Sequence, residues 1–290
     1  MPDPSPTQLL AGLSEVAGRY DAILCDVWGV LHDGKRAFDR ACAALKAFRT
    51  ERGPVVLITN APVPKARVTA VFPRVGVPDD CFDDVVASGD ATHHELQIHA
   101  PGPVYPIGLS EDRSVYGGLD LDFTDDPARA RVICCTSLRE YPHGHPDDYR
   151  DELERLAAYR LPMICANPDI QFRHGDRLIW SAGALAAIYE TLGGEVIRPG
   201  KPDAPIYRLA MERVAEISGR DIRPERVLGI GDGPATDVRG ANAMGMDALF
   251  IGGGIHGHAM ADGEGFLESA QAVLAADGAV ARYAMPELSW

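Results

Sequence analysis

Short, almost uninterrupted apolar runs alternate along the whole chain with stretches whose apolar residues recur every three or four positions. The clearest runs are Ala22–Val27 (AILCDV), Val55–Thr59 (VVLIT), Val227–Ile230 (VLGI) and Ala248–Ile251 (ALFI). Runs of this kind suit strands buried on both faces. A second group, Val104–Ile107, Arg131–Thr136 and Pro162–Ala166, occupies the middle of the chain. Between the runs, Tyr149, Leu153, Leu156 and Ala157 fall on one helical face, and so do Ile206, Leu209, Ala210 and Ile217. Gly193-Gly194 and Gly219 stand where helices would stop. The alternation predicts an α/β fold, a parallel sheet with crossover helices on both faces. Ser110–Asp126 is richer in charge and glycine, and Tyr141–Asp148 (YPHGHPDD) reads as an exposed loop.

Composition narrows the function rather than the fold. The 290 residues suffice for one large domain or two ordinary ones. Lys plus Arg number 28 against 42 for Asp plus Glu, a net charge of −14. That balance argues against nucleic acid and against an anionic membrane surface, both of which need clustered positive charge. No apolar run nears the ~20 residues that span a bilayer. The first residues lack the basic and apolar regions of a signal peptide, so a cytoplasmic location is expected. The six cysteines, Cys25, Cys42, Cys81, Cys134, Cys135 and Cys165, form no C-x-x-C pair or zinc spacing, and read as small buried residues. Only four lysines occur, at 35, 46, 65 and 201. The pattern leaves a homo-oligomer open.

In an open α/β sheet, ligands bind outside the carboxyl ends of the strands. Three runs end there on an abrupt polar residue: Asp26, Thr59-Asn60 and, after Gly231, Asp232. A carboxylate at a strand end can attack phosphorus and form an aspartyl-phosphate. Asp232 and Asp237 in GDGPATD could hold Mg2+, a hard cation that prefers oxygen ligands. Thr59 and Asn60 can donate to phosphoryl oxygens. Lys201 in GKPDAP can offset charge on the nucleophile and the transferring group. Positioning plus electrostatic stabilisation is most of what phosphoryl transfer requires.

The ordered set Asp26 (LCDVWGVL), Thr59-Asn60 (LITNAP), Lys201 (PGKPDAPIY) and Asp232/Asp237 (IGDGPATDVRGANAMGM) resembles the four motifs of the haloacid dehalogenase superfamily, most closely its class IIA, nitrophenyl-phosphatase-like branch. The resemblance extends to Ser88–Thr92 (SGDAT), Ala166–Asp169 (ANPD), Gly183–Glu190 (GALAAIYE) and Gly254-Ile255-His256-Gly257. It implies a Rossmann-like core over residues 1–92 and 179–290, with an inserted α/β cap over 93–178. It further implies nucleophile Asp26, phosphate-binding Thr59 and Asn60, and a charge-stabilising Lys201. Mg2+ would sit on Asp26, Asp232 and the backbone carbonyl of Trp28, with Asp237 close by. Asn167 and Asp169 would border the substrate. The activity implied is Mg2+-dependent hydrolysis of a small phosphorylated metabolite.

One position departs from the pattern. Most phosphatases of the superfamily carry Asp-x-Asp in the first motif, the second Asp serving as general acid and base; this chain has Asp26-Val27-Trp28. The metal-binding carbonyl survives that change and the proton donor does not. General acid–base help is worth about 10²–10⁴ in rate. The expectation is therefore a slow phosphatase, one limited to good leaving groups, or one with a substitute acid, for which His32 is the nearest candidate. Trp28 could pack in the core or shape the substrate pocket. Two other readings stand beside this one: a metal-independent dehalogenase, since haloalkanoate dehalogenases also carry an aromatic residue two after the nucleophile, and a non-catalytic phosphometabolite-binding protein. Gly252–Gly257 formally matches G-x-G-x-x-G, yet the chain runs from it into a helix and ends, unlike a dinucleotide site. The pairs His93/His94, His143/His145 and His256/His258 lack a third ligand at convincing spacing, and no G-x-S-x-G elbow occurs.

Overall fold

The computed structural model describes residues 6–109, 113–174, 177–254, 257, 260 and 263–290. In chain order the strands are β1 (Gln8–Leu9), β2 (Ala22–Asp26), β3 (Val55–Thr59), β4 (Asp84–Ala87), β5 (Val104–Ile107), β6 (Val132–Cys135), β7 (Met163–Cys165), β8 (Gln171–His174), β9 (Arg177–Trp180), β10 (Val196–Ile197), β11 (Val227–Gly231), β12 (Asp247–Ile251) and β13 (Tyr283–Met285). By internal contacts the chain divides into two compact units. The first holds residues 1–59, 69–86 and 207–290, and the second 60–68 and 87–206. The second unit thus takes in Asn60 and Lys201 as well as residues 93–178.

The first unit is built on a sheet of order β1-β13-β12-β11-β2-β3-β4. Strands β2, β3 and β11 are buried at every residue, which accounts for their unbroken apolar runs. β2 pairs in parallel with β3 on one side and β11 on the other, with Asp26 opposite Ile58 and Ile230 opposite Cys25. That register sets the carboxyl ends of the three strands side by side. The helix Asp39–Glu51, between β2 and β3, buries Ala41, Cys42, Ala44, Leu45 and Phe48, a stripe at helical spacing. In the helix Ala204–Ser218, Ile206, Ala210 and Val214 are buried while Ile217 is 39% exposed, so the predicted apolar face ends one turn early.

The second unit has a parallel sheet of order β10-β7-β6-β5 and an antiparallel hairpin, β8–β9. Alternate residues of β6 serve two cores. Ile133 and Cys135 join Leu153, Leu156, Leu185 and Tyr189, whereas Val132 and Cys134 join Leu96, Val115 and Tyr116. Both faces are covered by helices, which is why RVICCT carries no polar alternation. All six cysteines are buried and unbridged. Gly193 and Gly219 follow their helices in the left-handed region, with φ of 83° and 69°, as helix stops do. The predicted loop 141–148 passes into a short 3-10 helix, Pro146–Tyr149, because Pro146 presets its first turn. Strands β1 and β10 have two residues each, too few for a pattern, and the hairpin β8–β9 mixes polar and apolar residues on both strands. No helix among the described residues is long and apolar enough to cross a membrane.

Candidate active site

In the first unit the parallel register converts three separated aspartates into a cluster. Asp26 closes β2, Asp232 follows β11, and Asp237 lies on the π-helical turn Pro234–Val238 that continues from it. One carboxylate oxygen of each lies within 4.8 Å of those of the other two, and the residues are only 6%, 7% and 7% exposed. Three carboxylates held this close and this dry repel one another, an arrangement suited to a hard divalent cation. A π-turn packs the first turn more widely than an α-helix does and is frequent at functional sites. Here the backbone N–H of Gly233 donates to Asp237 Oδ2 at 3.0 Å and the N–H of Asp237 donates to the Gly233 carbonyl at 2.8 Å, locking the carboxylate onto the turn. Tyr207 adds a hydroxyl donated to the Asp237 carbonyl at 3.2 Å.

Glycines make the room. Methyl groups built onto Gly29 or Gly254 would overlap the Asp232 carboxylate, and one on Gly231 would overlap that of Asp237. Gly29 moreover has φ 82°, a conformation that L side chains rarely adopt. These oxygen ligands and their glycine cradle fit a hard divalent cation. Sequence reasoning missed the glycines as site residues; the run Asp26-Val27-Trp28-Gly29 and the glycines around residue 254 were the available signal. Ile255, His256 and His258, part of the late motif and of the histidine pairs, lie outside the described residues.

After β2 the chain turns tightly, with the Gly29 N–H donating to the His32 carbonyl at 3.0 Å. The Trp28 ring is half-buried, lies against Gly34 and meets the His32 ring edge-on at 5.0 Å. A side chain on Gly34 (φ 83°) would collide with the indole, so Trp28 is both packed and partly open. His32 itself is 2% exposed, between Trp28 and Phe72, and its Nδ1 accepts the Gly34 N–H at 3.0 Å. Burial drives its pKa down to about 4 against a weaker opposing pull from Asp33. The expectation of a substitute acid at His32 therefore fails: the ring is neutral, sealed and committed to a turn.

Thr59 ends β3 beside Asp26 in the first unit and is 2% exposed. The second unit begins at the next residue, and there Asn60 does something its sequence position did not reveal. Its Oδ1 accepts the Lys201 N–H at 2.7 Å, while its Nδ2 donates to the Lys201 carbonyl at 3.1 Å and to Asp169 Oδ1 at 2.9 Å. Both side-chain amide hydrogens are thus engaged within the protein. Asn60 instead clamps the backbone of Lys201, which is 2% exposed while the other three lysines, Lys35, Lys46 and Lys65, are exposed. Asn167 Oδ1 accepts the Asp169 N–H at 3.1 Å, an Asx turn that aims Asp169 at Asn60. His143 Nδ1 meets Arg177 at 3.1 Å and His93 Nδ1 meets the Val115 carbonyl at 3.0 Å, ordinary polar contacts rather than metal ligation.

A parallel sheet whose adjacent strand ends gather three buried aspartates is the arrangement that the motifs of a haloacid dehalogenase-like hydrolase imply. Residues 23–122 match the family described as haloacid dehalogenase-like hydrolase, and residues 198–277 match a second, HAD-hydrolase-like family. A haloacid dehalogenase-like hydrolase of known structure from Brucella suis 1330 is 43% identical, with a TM-score of 0.81, over 86% of this chain and 94% of that one. The chain belongs to this family, as its motifs implied. It is similar also to chronophin from Homo sapiens, 25% identical over 92% of this chain and 89% of chronophin. Ribonucleotide monophosphatase NagD from Escherichia coli is 25% identical over 80% of this chain and 88% of NagD.

Proposed function

We propose that the protein is a Mg2+-dependent phosphatase acting on a small phosphorylated metabolite through an aspartyl-phosphate on Asp26. The single observation that carries this reading is the buried trio Asp26, Asp232 and Asp237. Membership in the hydrolase family and similarity to proteins named as phosphatases support it. A carboxylate oxygen of Asp26 attacks phosphorus, the bond to the leaving oxygen breaks, and that oxygen departs with the electron pair. Water then attacks the acyl phosphate, releasing inorganic phosphate and restoring the carboxylate. Asp26, Asp232 and the Trp28 carbonyl, with Asp237 close by, would hold the cation, which would supply charge neutralisation for the approaching phosphate. Thr59 offers its hydroxyl to a phosphoryl oxygen, and Lys201 offers a fixed positive charge. Residues 93–178 form the cap, with Asn167 and Asp169 at the substrate's border.

With Trp28 where an acid would stand and His32 sealed, the leaving oxygen departs with little proton donation from the first-motif loop. Turnover is therefore expected to fall steeply as the leaving group becomes more basic: aryl phosphates are cleaved and alkyl phosphates barely. Trp28→Asp should raise alkyl phosphate hydrolysis, up to the roughly 10²–10⁴ that general acid catalysis contributes. The deciding assay is p-nitrophenyl phosphate turnover with Mg2+ or with chelator, in wild type and in Asp26→Asn. Turnover that needs Mg2+ and vanishes in Asp26→Asn supports the reading; turnover persisting in Asp26→Asn refutes it. Chloride release from 2-chloropropionate without metal would establish the dehalogenase alternative, and Mg2+-dependent phosphate-ester binding without hydrolysis the binding-protein alternative.

A further inference from the structure

None of the six buried cysteines takes part in the chemistry above, yet the first unit brings two of them together. Cys42, Lys46 and Arg49 lie at helical spacing on one side of the helix Asp39–Glu51. That side docks on residues 78–83, which lead from the short helix Phe72–Val75 into β4. Lys46 Nζ pairs with Asp80 Oδ2 and Arg49 Nε with Asp83 Oδ1 at 2.6 Å, and Arg49 also donates to the Asp80 carbonyl at 3.1 Å. Exposed ion pairs of this kind add little stability, but they fix which residues face each other. One turn nearer the helix start, the thiols of Cys42 and Cys81 are hydrogen-bonded to one another. Thiols that already meet satisfy the first condition for a disulfide, side chains directed at each other. The contact also makes the two unequal. The Cys81 hydrogen bond holds the Cys42 thiol below its ordinary pKa, whereas the same bond and burial push Cys81 up. Cys81, whose S–H also reaches the Pro78 carbonyl at 3.1 Å, therefore keeps its proton. Cys42 retains a small exposed edge, 4%, and Cys81 none, so a small oxidant meets Cys42 first. The other four cysteines differ. Cys25 directs its S–H to the Asp26 carbonyl at 3.2 Å. Cys135 stands opposite Cys165 across β6 and β7, but burial pushes Cys134 and Cys165 up to about 12 and Cys135 up as well, so none of the three supplies a thiolate.

We propose that Cys42 and Cys81 form a modification site for hydrogen peroxide, Cys42 being oxidised first and Cys81 resolving it to an intramolecular disulfide. The Cys42 thiolate attacks one peroxide oxygen, the O–O bond breaks, and the departing hydroxide takes a proton and leaves as water, so that Cys42 becomes a sulfenic acid. The Cys81 sulfur then attacks the Cys42 sulfur. The S–O bond breaks, and its oxygen leaves with the Cys81 proton as a second water. The two thiols give up two electrons and the peroxide takes them. The product staples the helix after β2 to the residues that lead into β4, across 39 positions of sequence, and so removes freedom from the unfolded chain.

The test needs no phosphatase turnover. Folded wild type treated with hydrogen peroxide should fall from six titratable thiols to four, return to six with dithiothreitol, and yield one cross-linked peptide pair holding Cys42 and Cys81. Its thermal midpoint should rise by about 5 °C on oxidation. In Cys81→Ala the sulfenic acid has no resolving partner, so dimedone should label Cys42. In Cys42→Ala, dimedone should leave Cys81 unlabelled and the midpoint should not respond to peroxide. Six thiols that survive a peroxide dose sufficient to oxidise the urea-unfolded chain overturn the proposal. So does a disulfide through Cys25, Cys134, Cys135 or Cys165, or a dimedone label on Cys81 instead of Cys42. A Cys42–Cys81 disulfide that leaves the midpoint unchanged overturns the stapling role. Should either variant not fold, the thiol count, peptide map and midpoint of wild type still decide.

Discussion

Asp232 owes its position to residues that carry no chemistry. Gly29 and Gly254 both abut its carboxylate, but only Gly29 also needs a positive φ, at 82°. Gly29→Ala adds a methyl where the carboxylate sits and strains the backbone by roughly 1–2 kcal/mol. It is expected to weaken Mg2+ affinity at least tenfold, read from the Mg2+ dependence of turnover or by calorimetry. Gly254→Ala isolates the steric part and should weaken affinity with a smaller loss of stability. Wild-type Mg2+ affinity in both variants would show that Asp232 is not a ligand.

The clamp on Lys201 is a property of three loops brought together, not of any one. Asn60 reaches from the end of β3, Lys201 from the loop before the helix Ala204–Ser218, and Asp169 from the loop after β7. Removing the amide leaves a buried N–H, a buried carbonyl and part of a carboxylate without this partner. Asn60→Ala should therefore cost about 2–4 kcal/mol in urea unfolding. It should also lower kcat by roughly 10–100-fold, with KM less affected, since a displaced lysine weakens what is felt in the transition state. A variant of wild-type stability and kcat would show the clamp to be incidental. The turn Pro234–Val238 works likewise: its π geometry, not the spacing of Asp232 and Asp237 alone, brings the two carboxylates within reach of Asp26.

Buried His32 contributes acid sensitivity to the whole fold. Its folded pKa of about 4 lies below the ordinary 6.5, because burial disfavours the charged ring. Between those values the unfolded chain binds a proton that the native state refuses. The contribution of this group to stability is thus full above pH 6.5 and declines as pH falls toward 4, by on the order of 3 kcal/mol. His32→Asn, which can still accept the Gly34 N–H, should be less stable at pH 7 through lost ring contacts but show a shallower decline from pH 6.5 to 4. Parallel wild-type and variant curves in denaturant titrations would remove His32 as the cause. At this scale the division between sequence and structure is plain. The apolar runs at 22–27, 55–59, 104–107 and 227–230 announced strands because burial on both faces leaves its mark on each residue separately, and the polar residues that end those runs announced the candidate site. The net charge of −14 spoke only to partners. What the sequence could not carry is convergence. That Asp26, Asp232 and Asp237 meet depends on parallel register across β2 and β11; that Asn60 serves Lys201, 141 residues away, depends on loop closure in the second unit. His32 reads in sequence as a loop histidine beside a strand end, and only the packing of Trp28, Gly34 and Phe72 around it makes it a buried neutral ring. Local pattern records how each residue meets water, whereas contacts between distant residues are fixed only when the chain has folded.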